Sequence, residues 1–395
     1  MMDKRVIANL MEERRRVEVT NNGRRTTENV YAVFTGSVVR HYPRRLFSLL
    51  TLALACVEEG RFRQRLISGR VSCKQIKIFI SCAVQRVPLL DQVPCSITVT
   101  NTEELVQADS AGANNNKICE CTFLNPGSWD AALLAAGTTL SAMKHILDGH
   151  AKIAYALVRP PGHHAQPDRA DGYCFLNNAG LAVKLALDSG RRRVAVVDID
   201  VHYGNGTAEG FYHTDSVLTI SLHMKHGSWG PSHPQSGLVD ETGEGRGLGY
   251  NLNIPLPNGS GDAGYEYAMN ELVVPAIEKF RPELMVFVVG QDSSAFDPNG
   301  RQCLTMDGYR KIGQIMRGMA DQHSNGQILI VQEGGYHITY SAYCLHATLE
   351  GVLNLQAPLL DDPLGFYPDD EKYTMQAVDI IKKCWKESIP FLKDI

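Results

Sequence analysis

Two carboxylates and an imidazole at the end of one apolar run are the residues of this sequence best suited to chemistry. Asp198, Asp200 and His202 follow the apolar and mostly β-branched residues 194–197. Residues i and i+2 of a strand point to the same face, so Asp200 and His202 can converge on one point. Carboxylate and imidazole groups are common ligands of divalent metals. The spacing predicts a metal site, and the competing interpretation is a strand that runs into a solvated loop.

Three further segments place polar side chains directly after short apolar runs. The residues concerned are His163 with His164, Asp292, and Tyr336. Adjacent histidines after a Pro-Pro-Gly turn indicate acid–base work or metal ligation. Paired glycines before Tyr336 let the backbone turn sharply under a ligand. Ligands of open α/β sheets bind outside the carboxyl ends of the strands, so these segments are expected to share one site.

The elements that must position these residues alternate from about residue 123 onwards. Helices are predicted at 128–148, 176–188, 264–280, 306–323, 343–355 and 369–392, and strands at 153–158, 194–199, 217–222, 284–289 and 328–331. Short apolar strands between amphipathic helices predict an α/β fold with a doubly wound, mostly parallel sheet flanked by helices in a single domain. The Gly-rich stretch 223–250 is predicted to be a functional loop.

The first hundred residues show no clean alternation of elements. We therefore divide the chain into a divergent N-terminal region, 1–100, and a catalytic domain, 101–395. The N-terminal region is expected to supply no complete first strand. An ordered strand within residues 30–40 would overturn that expectation.

Composition and charge limit the classes of protein to consider. The chain has 395 residues, 44% of them hydrophobic, and its longest apolar run is too short to span a membrane. Its ten cysteines form no paired framework, which favours a reducing compartment, cytoplasmic or nuclear, with organellar targeting left open. Residues 1–70 hold 14 Lys and Arg against 7 Asp and Glu, whereas the whole chain has a net charge of −4. The acidic remainder suits a cationic substrate, although solubility explains it equally well, and no aromatic platform for nucleic acid accompanies the basic stretch.

In their order and spacing, the polar segments resemble the zinc-dependent histone deacetylase family, which has the arginase–deacetylase fold. The motifs are Arg-Pro-Pro-Gly-His-His at 159–164, Asp-x-Asp-x-His-x-Gly-Asn-Gly-Thr at 198–207 and Glu-Gly-Gly-Tyr at 333–336. The resemblance runs from about residue 122 to 355. Asn205 and the form of the first motif are similar to the class II branch and to acetylpolyamine amidohydrolases.

The resemblance implies two kinds of bound cation. One Zn²⁺ per chain would be held by Asp200, His202 and Asp292. A structural K⁺ would lie beside it, and the matching positions are Asp198, Asp200, His202, Ser221 and Leu222.

The resemblance also implies roles in catalysis. His164 would be the main general base and then the acid, with His163 as an electrostatic aid that Asp198 orients. Asn205 stands behind His164 where other branches have Asp, which should leave the pKa of His164 lower. Tyr336 would donate a hydrogen bond to the oxyanion.

Four further positions are expected to shape a substrate tunnel. Tyr173, after Gly172, and Trp229 would wall it as aromatics that accept a methylene chain. Trp229 has a competing interpretation as an anchor of a surface loop. Asn299 stands where a polyamine-preferring relative carries a Glu at the tunnel mouth.

The function that the resemblance implies is hydrolysis of an acetamide. Acetyl-lysine of histone or other proteins, or a related acetylated amine, would be the substrate, and corepressor-type proteins are possible partners. Three alternatives stay open: an acetylpolyamine or other small-amine deacetylase, a catalytically impaired scaffold that binds acetylated partners, and an arginase-like enzyme with two Mn²⁺. The last lacks ligands, because no carboxylate follows within residues 203–205.

Overall fold

A computed structural model describes residues 76–80, 116–119, 122–124, 127–225, 237–364 and 371–395. Trp229 and residues 30–40 lie outside these ranges. None of the helices in the described ranges is both long enough and apolar enough to cross a membrane.

A seven-stranded sheet forms the centre of the described structure. Its strands are β1 (Ile76–Ile80), β4 (Ile153–Leu157), β5 (Val194–Asp198), β6 (Val217–Met224), β7 (Asn251–Leu256), β8 (Leu284–Val289) and β9 (Ile328–Gln332). Their spatial order is β1-β4-β9-β8-β5-β6-β7, and every neighbouring pair is parallel. A separate antiparallel pair joins β2 (Asn116–Cys119) to β3 (Thr122–Leu124). All carboxyl ends of the large sheet therefore lie along one edge.

Helices cover both faces of the sheet. They are α1 (Ser128–Leu147), α2 (Asn178–Asp188), α3 (Asn205–Phe211), α4 (Asp262–Ala268), α5 (Val274–Phe280), α6 (Met306–His323), α7 (Tyr340–Val352) and α8 (Lys372–Ser388). A π-helical turn, Met269–Val273, joins α4 to α5.

The strands are buried on both sides because their alternate residues pack into two different cores. In β5, Ala195 and Val197 belong to the core that includes Trp385 of α8. Val194 and Val196 belong to the opposite core, which includes Met143 of α1. A strand buried on both faces needs a continuous apolar run, and this explains why β5 carries its first polar residue, Asp198, at its last position.

The predicted doubly wound parallel sheet is confirmed, but several elements differ from expectation. The expectation that residues 1–100 supply no complete first strand is wrong, because Ile76–Ile80 pairs over its whole length with β4. The stretch 223–250 is not all loop, since β6 continues to Met224 and Gly245–Gly247 forms a 3₁₀ turn. The seventh helix begins at Tyr340, earlier than predicted, and β7 and α3 were not predicted at all.

Candidate functional site

Three side chains from two adjacent strands form a cluster suited to a metal ion. Asp200 and His202 follow β5, and Asp292 lies on a 3₁₀ turn, Gln291–Ser293, after β8. One ligand atom from each lies within 4.8 Å of the others. Nδ1 of His202 is 3.1 Å from Oδ1 of Asp200 and 3.3 Å from Oδ2 of Asp292. The structure thus brings together all three residues that the sequence proposed as ligands.

Two glycines let the backbone approach the carboxylate oxygens of this cluster closely. A Cβ at Gly290 would lie 2.1 Å from Oδ2 of Asp200, and one at Gly334 would lie 2.0 Å from Oδ2 of Asp292. The amide of Gly334 donates to Oδ2 of Asp200 at 2.8 Å. Oδ2 of Asp292 is buried and accepts no hydrogen bond from the part of the chain that the structure describes, although Nδ1 of His202 lies 3.3 Å from it. A buried carboxylate oxygen without a donor is costly, and a bound divalent cation would satisfy it, so the residues fit a metal such as zinc.

The electrostatics of the cluster also favour a cation. Burial, with the charge of Asp200, raises the pKa of Asp292 to about 7. Burial alone would lower the pKa of His202, but its contacts with Asp200 and Asp292 outweigh burial and raise that pKa to about 10. The two buried carboxylates thus keep a proton on His202, and a divalent ion bound to the cluster would replace that proton.

The two adjacent histidines have partners of different charge. Nδ1 of His163 lies 2.9 Å from Oδ2 of Asp198, whereas Nδ1 of His164 lies 2.6 Å from Oδ1 of Asn205. Burial would lower the pKa of His163, but Asp200 and Asp198 outweigh burial and raise that pKa well above its usual value. Burial and the neighbouring His163 lower the pKa of His164 well below its usual value. One imidazole is therefore held charged and the other neutral, a division suited to general base catalysis.

Glu333 holds the histidine loop, and the sequence analysis assigned it no role. Its Oε2 accepts hydrogen bonds from the amides of Gly162 at 2.6 Å and His163 at 3.0 Å. The side chain is fully buried, and burial raises its pKa to about 7. Nη1 of Arg159 donates to the carbonyl of Glu333 at 2.7 Å, which ties the ends of β4 and β9 together. The signal available in the sequence was an acidic residue directly after an apolar strand.

Asp297 fixes the loop that carries Tyr336, and this role was also missed. Its Oδ2 accepts from the amides of Tyr336 at 2.7 Å and His337 at 3.0 Å. The guanidinium of Arg159 lies 5.2 Å from the centre of the Tyr336 ring. Burial raises the pKa of Tyr336 well above its usual value, so its hydroxyl stays protonated and can donate.

The structure describes three of the four residues that are expected to shape the substrate tunnel. A Cβ at Gly172 would lie 2.2 Å from Cδ2 of His164, so this glycine packs directly on the imidazole. Tyr173 follows with its ring centre 6.0 Å from that of Tyr336. The amide of Asn299 donates to Oδ1 of Asp297 at 2.9 Å, which places Asn299 on the loop next to the site. Trp229 lies outside the described residues.

The positions expected for a monovalent cation lie on adjacent strands. Ser221 of β6 pairs in register with Asp198 of β5, and Leu222 is the next residue. Oγ of Ser221 is 3.0 Å from Nδ1 of His223. Nε2 of His223 donates to the carbonyl of Gly237, so Nδ1 accepts from the Ser221 hydroxyl.

Comparison with known proteins gives consistent matches. A family model described as the histone deacetylase domain matches residues 90–352. The chain is 70% identical over 292 residues to "Histone deacetylase 8" of Arabidopsis thaliana, covering 74% of this chain and 77% of that protein. It is 40% identical over 211 residues to "Acetylpolyamine amidohydrolase" of Burkholderia pseudomallei, covering 53% and 59% respectively. The crystal structure of the HDA15 HD domain aligns with a TM-score of 0.65 at 32% identity, covering 76% of this chain and 80% of that one.

Proposed function

The chain belongs to the histone deacetylase family and is a deacetylase, and from this premise we propose how its residues share the reaction. The observation that carries the proposal is the cluster of Asp200, His202 and Asp292 within 4.8 Å, beside two histidines with partners of different charge. Hydrolysis of an acetamide requires a polarised carbonyl, an activated water and a proton for the leaving amine. The cluster and the histidines match these needs.

We assign one zinc ion per chain to Asp200, His202 and Asp292. Support comes from the zinc dependence of the family, the donor set, and the unpartnered Oδ2 of Asp292. When bound, zinc supplies Lewis acidity that polarises the acetyl carbonyl and makes a water more acidic. A second metal ion, as in the Mn²⁺ pair of arginases, would need a further carboxylate behind His202. Residues 203–205 are Tyr, Gly and Asn and offer none.

The proton transfers fall to His164. With its Nδ1 proton donated to Asn205, this imidazole has its lone pair on Nε2, and its lowered pKa keeps it neutral. It takes a proton from the attacking water and returns it to the leaving amine. His163, held charged between Asp198 and Asp200, stabilises the negative charge that develops. Tyr336 donates its hydroxyl hydrogen bond to the oxyanion.

The favoured substrate is acetyl-lysine of a protein, histone or non-histone. A neutral Asn299 on the loop beside the site offers no carboxylate to a second ammonium group, which disfavours a polyamine. A small acetylated amine remains the second candidate, because an acetylpolyamine amidohydrolase is among the relatives.

Several finer assignments belong to the same proposal. Asn205 and the Arg-Pro-Pro-Gly-His-His motif favour the class II branch. A K⁺ bound by Asp198, Asp200, His202, Ser221 and Leu222 would stiffen the ends of β5 and β6. The catalytic domain would extend over 101–395, and the divergent region 1–100 would add the edge strand β1 to its sheet. Cytoplasmic or nuclear location, action on chromatin and corepressor-type partners complete the proposal.

A substrate panel tests this function. Zinc-loaded protein is assayed with an acetyl-lysine peptide and with acetylspermidine. Both assays are repeated after a chelator has removed the zinc. We expect kcat/KM to be highest for the peptide, and Tyr336→Phe to lower kcat about 10²–10³-fold. Equal activity in the Tyr336→Phe variant would overturn the oxyanion assignment, and a preference for acetylspermidine would overturn the substrate.

A further inference from the structure

Two buried glutamines lie at the carboxyl ends of adjacent strands, β8 and β9, beside the metal cluster. Gln332 is the last residue of β9 and pairs in register with Val289 of β8, and Gln291 begins the 3₁₀ turn after β8. Gln332 is 4% exposed and Gln291 is 2% exposed. Side-chain amides are costly to bury without hydrogen bonds, so the partners of these residues indicate what they stabilise.

The two side-chain amides bind each other, and we call Gln291 and Gln332 the glutamine pair. Nε2 of Gln332 donates to Oε1 of Gln291 at 2.5 Å, and Nε2 of Gln291 donates to Oε1 of Gln332 at 3.3 Å. The hydroxyl of Tyr155 on β4 donates to the same oxygen of Gln332 at 2.8 Å. The glutamine pair therefore links the ends of three neighbouring strands, β4, β9 and β8, through buried hydrogen bonds that strengthen one another.

The glutamine pair also holds the glycine turn that leads to Tyr336. Nε2 of Gln332 donates to the carbonyl of Gly334 at 2.9 Å, and the backbone amide of Gln291 donates to the same carbonyl at 3.2 Å. A Cβ at Gly335, where φ is 116°, would lie 2.9 Å from Cβ of Gln291, so this glutamine packs against the turn. The Gly334 carbonyl belongs to the peptide group before Gly335. Fixing that carbonyl therefore sets the direction in which the chain enters Tyr336.

We propose that the glutamine pair positions the Tyr336 hydroxyl for the oxyanion by fixing the Gly334 carbonyl. This inference rests on the proposed function, in which Tyr336 is the oxyanion donor. Asp297 accepts from the amide of Tyr336, so one set of hydrogen bonds holds the turn before the tyrosine and another holds it at the tyrosine. Two apolar side chains could fill the same space but could not bind the carbonyl. A displacement of about 1 Å at a reacting group is enough to lower the rate strongly.

The test is a double-mutant cycle between Gln332→Met and Tyr336→Phe, with zinc-saturated protein throughout. Gln332→Met keeps the length of the side chain and removes its hydrogen bonds. With Tyr336 present, we expect kcat to fall about 10–100-fold while KM stays within about twofold. In the Tyr336→Phe protein, which has already lost the hydroxyl, the same substitution should lower kcat less than about threefold. Equal losses in both backgrounds, or an unchanged kcat in Gln332→Met alone, would overturn the positioning role.

A second comparison separates positioning from stability. Gln332→Met deprives the buried amide of Gln291 of its partner, whereas the combined variant Gln291→Met/Gln332→Met removes both amides. Urea unfolding of the combined variant should therefore return towards that of the wild type. Its kcat should stay as low as in Gln332→Met, because the Gly334 carbonyl still lacks its side-chain donor. A kcat that recovers together with stability would overturn the inference.

Gln327→Met is the matched control on the same strand. Gln327 precedes the opposite end of β9, where it accepts from Arg191 and donates to the carbonyl of Ile146. It should leave kcat unchanged, and a loss equal to that of Gln332→Met would overturn the inference. Should Gln332→Met fail to fold, the cycle is run with Gln291→Met, for which the same non-additivity with Tyr336→Phe is expected. A Tyr336→Phe protein with the kcat of the wild type would reject the proposed oxyanion role and this inference with it, whereas additive losses would reject this inference alone.

Discussion

Nδ1 of His164 lies 2.6 Å from the side-chain oxygen of Asn205, so this histidine donates to a neutral amide and not to a carboxylate. Its neighbour His163 donates to Asp198 instead. The two imidazoles are adjacent in sequence and their ring centres are 4.0 Å apart, yet they differ in charge. Asp200 and Asp198 outweigh burial and raise the pKa of His163, whereas burial and the charge of His163 lower the pKa of His164.

The first prediction concerns the pH profile. Asn205→Asp places a negative charge beside His164, and this charge raises the pKa of the imidazole. The protonated imidazole, which cannot accept a proton from water, then persists to higher pH. The acid limb of the kcat/KM profile should therefore move to higher pH, with a larger loss of activity at pH 6 than at pH 8. Asn205→Ser is the neutral control, and an acid limb at the same pH in Asn205→Asp would contradict the role of His164 as base.

The second prediction separates a metal ligand from a nearby carboxylate. Asp292→Ala should lose bound zinc, because it removes one of three ligands, whereas Asp297→Ala should retain zinc and lose kcat about 10–100-fold through a displaced Tyr336. Zinc content is measured by mass spectrometry. Zinc should also raise the unfolding temperature of the Asp297→Ala protein but not that of Asp292→Ala. Equal zinc content in both variants would reject Asp292 as a ligand.

The third prediction concerns the buried acid that holds the histidine loop. Glu333→Ala leaves the amides of Gly162 and His163 without an acceptor, so unfolding should become easier by about 1–3 kcal/mol for each unsatisfied group. Activity should fall with it. Glu333→Gln keeps an oxygen that can accept both hydrogen bonds and should retain most stability in urea unfolding. If the two variants unfold at the same urea concentration, the hydrogen bonds are not what Glu333 contributes.

The fourth prediction concerns close packing on His164, the proposed general base. Gly172→Ala adds a Cβ 2.2 Å from Cδ2 of His164 at a position with φ of 51°. The imidazole must move, so kcat should fall at least about tenfold while zinc content stays unchanged. Gly210→Ala, on α3, has open space around its Cβ and serves as the matched control. Full activity in Gly172→Ala would show that the position of His164 is less constrained than proposed.

Sequence reasoning worked where apolar runs ended in polar side chains. β8 and α6 have the predicted boundaries, because an uninterrupted apolar run and a strongly amphipathic helix leave little ambiguity. The clustering of Asp200, His202 and Asp292 followed from the same logic, since the carboxyl ends of parallel strands meet at one edge of the sheet.

Sequence reasoning failed where residues make local hydrogen bonds or close backbone contacts and so do not follow a continuous apolar pattern. In β7, Asn251 and Asn253 interrupt the apolar pattern because their amides donate to the carbonyls of Glu241 and Leu238. In α3, Gly206 and Gly210 weaken the helical signal, and Gly206 is required because a Cβ would lie 2.3 Å from the carbonyl oxygen of Ala165. The contacts of Glu333 with the amides of Gly162 and His163, and of Asp297 with those of Tyr336 and His337, join residues far apart in sequence, which no local pattern reveals.

The most direct test of the central claim is metal-dependent turnover of an acetyl-lysine peptide. The purified chain is stripped with a chelator and titrated with Zn²⁺ while product amine is measured. We predict that activity disappears on stripping and returns in full at one equivalent of zinc per chain. Activity that survives stripping, or that requires two equivalents of metal, would contradict it.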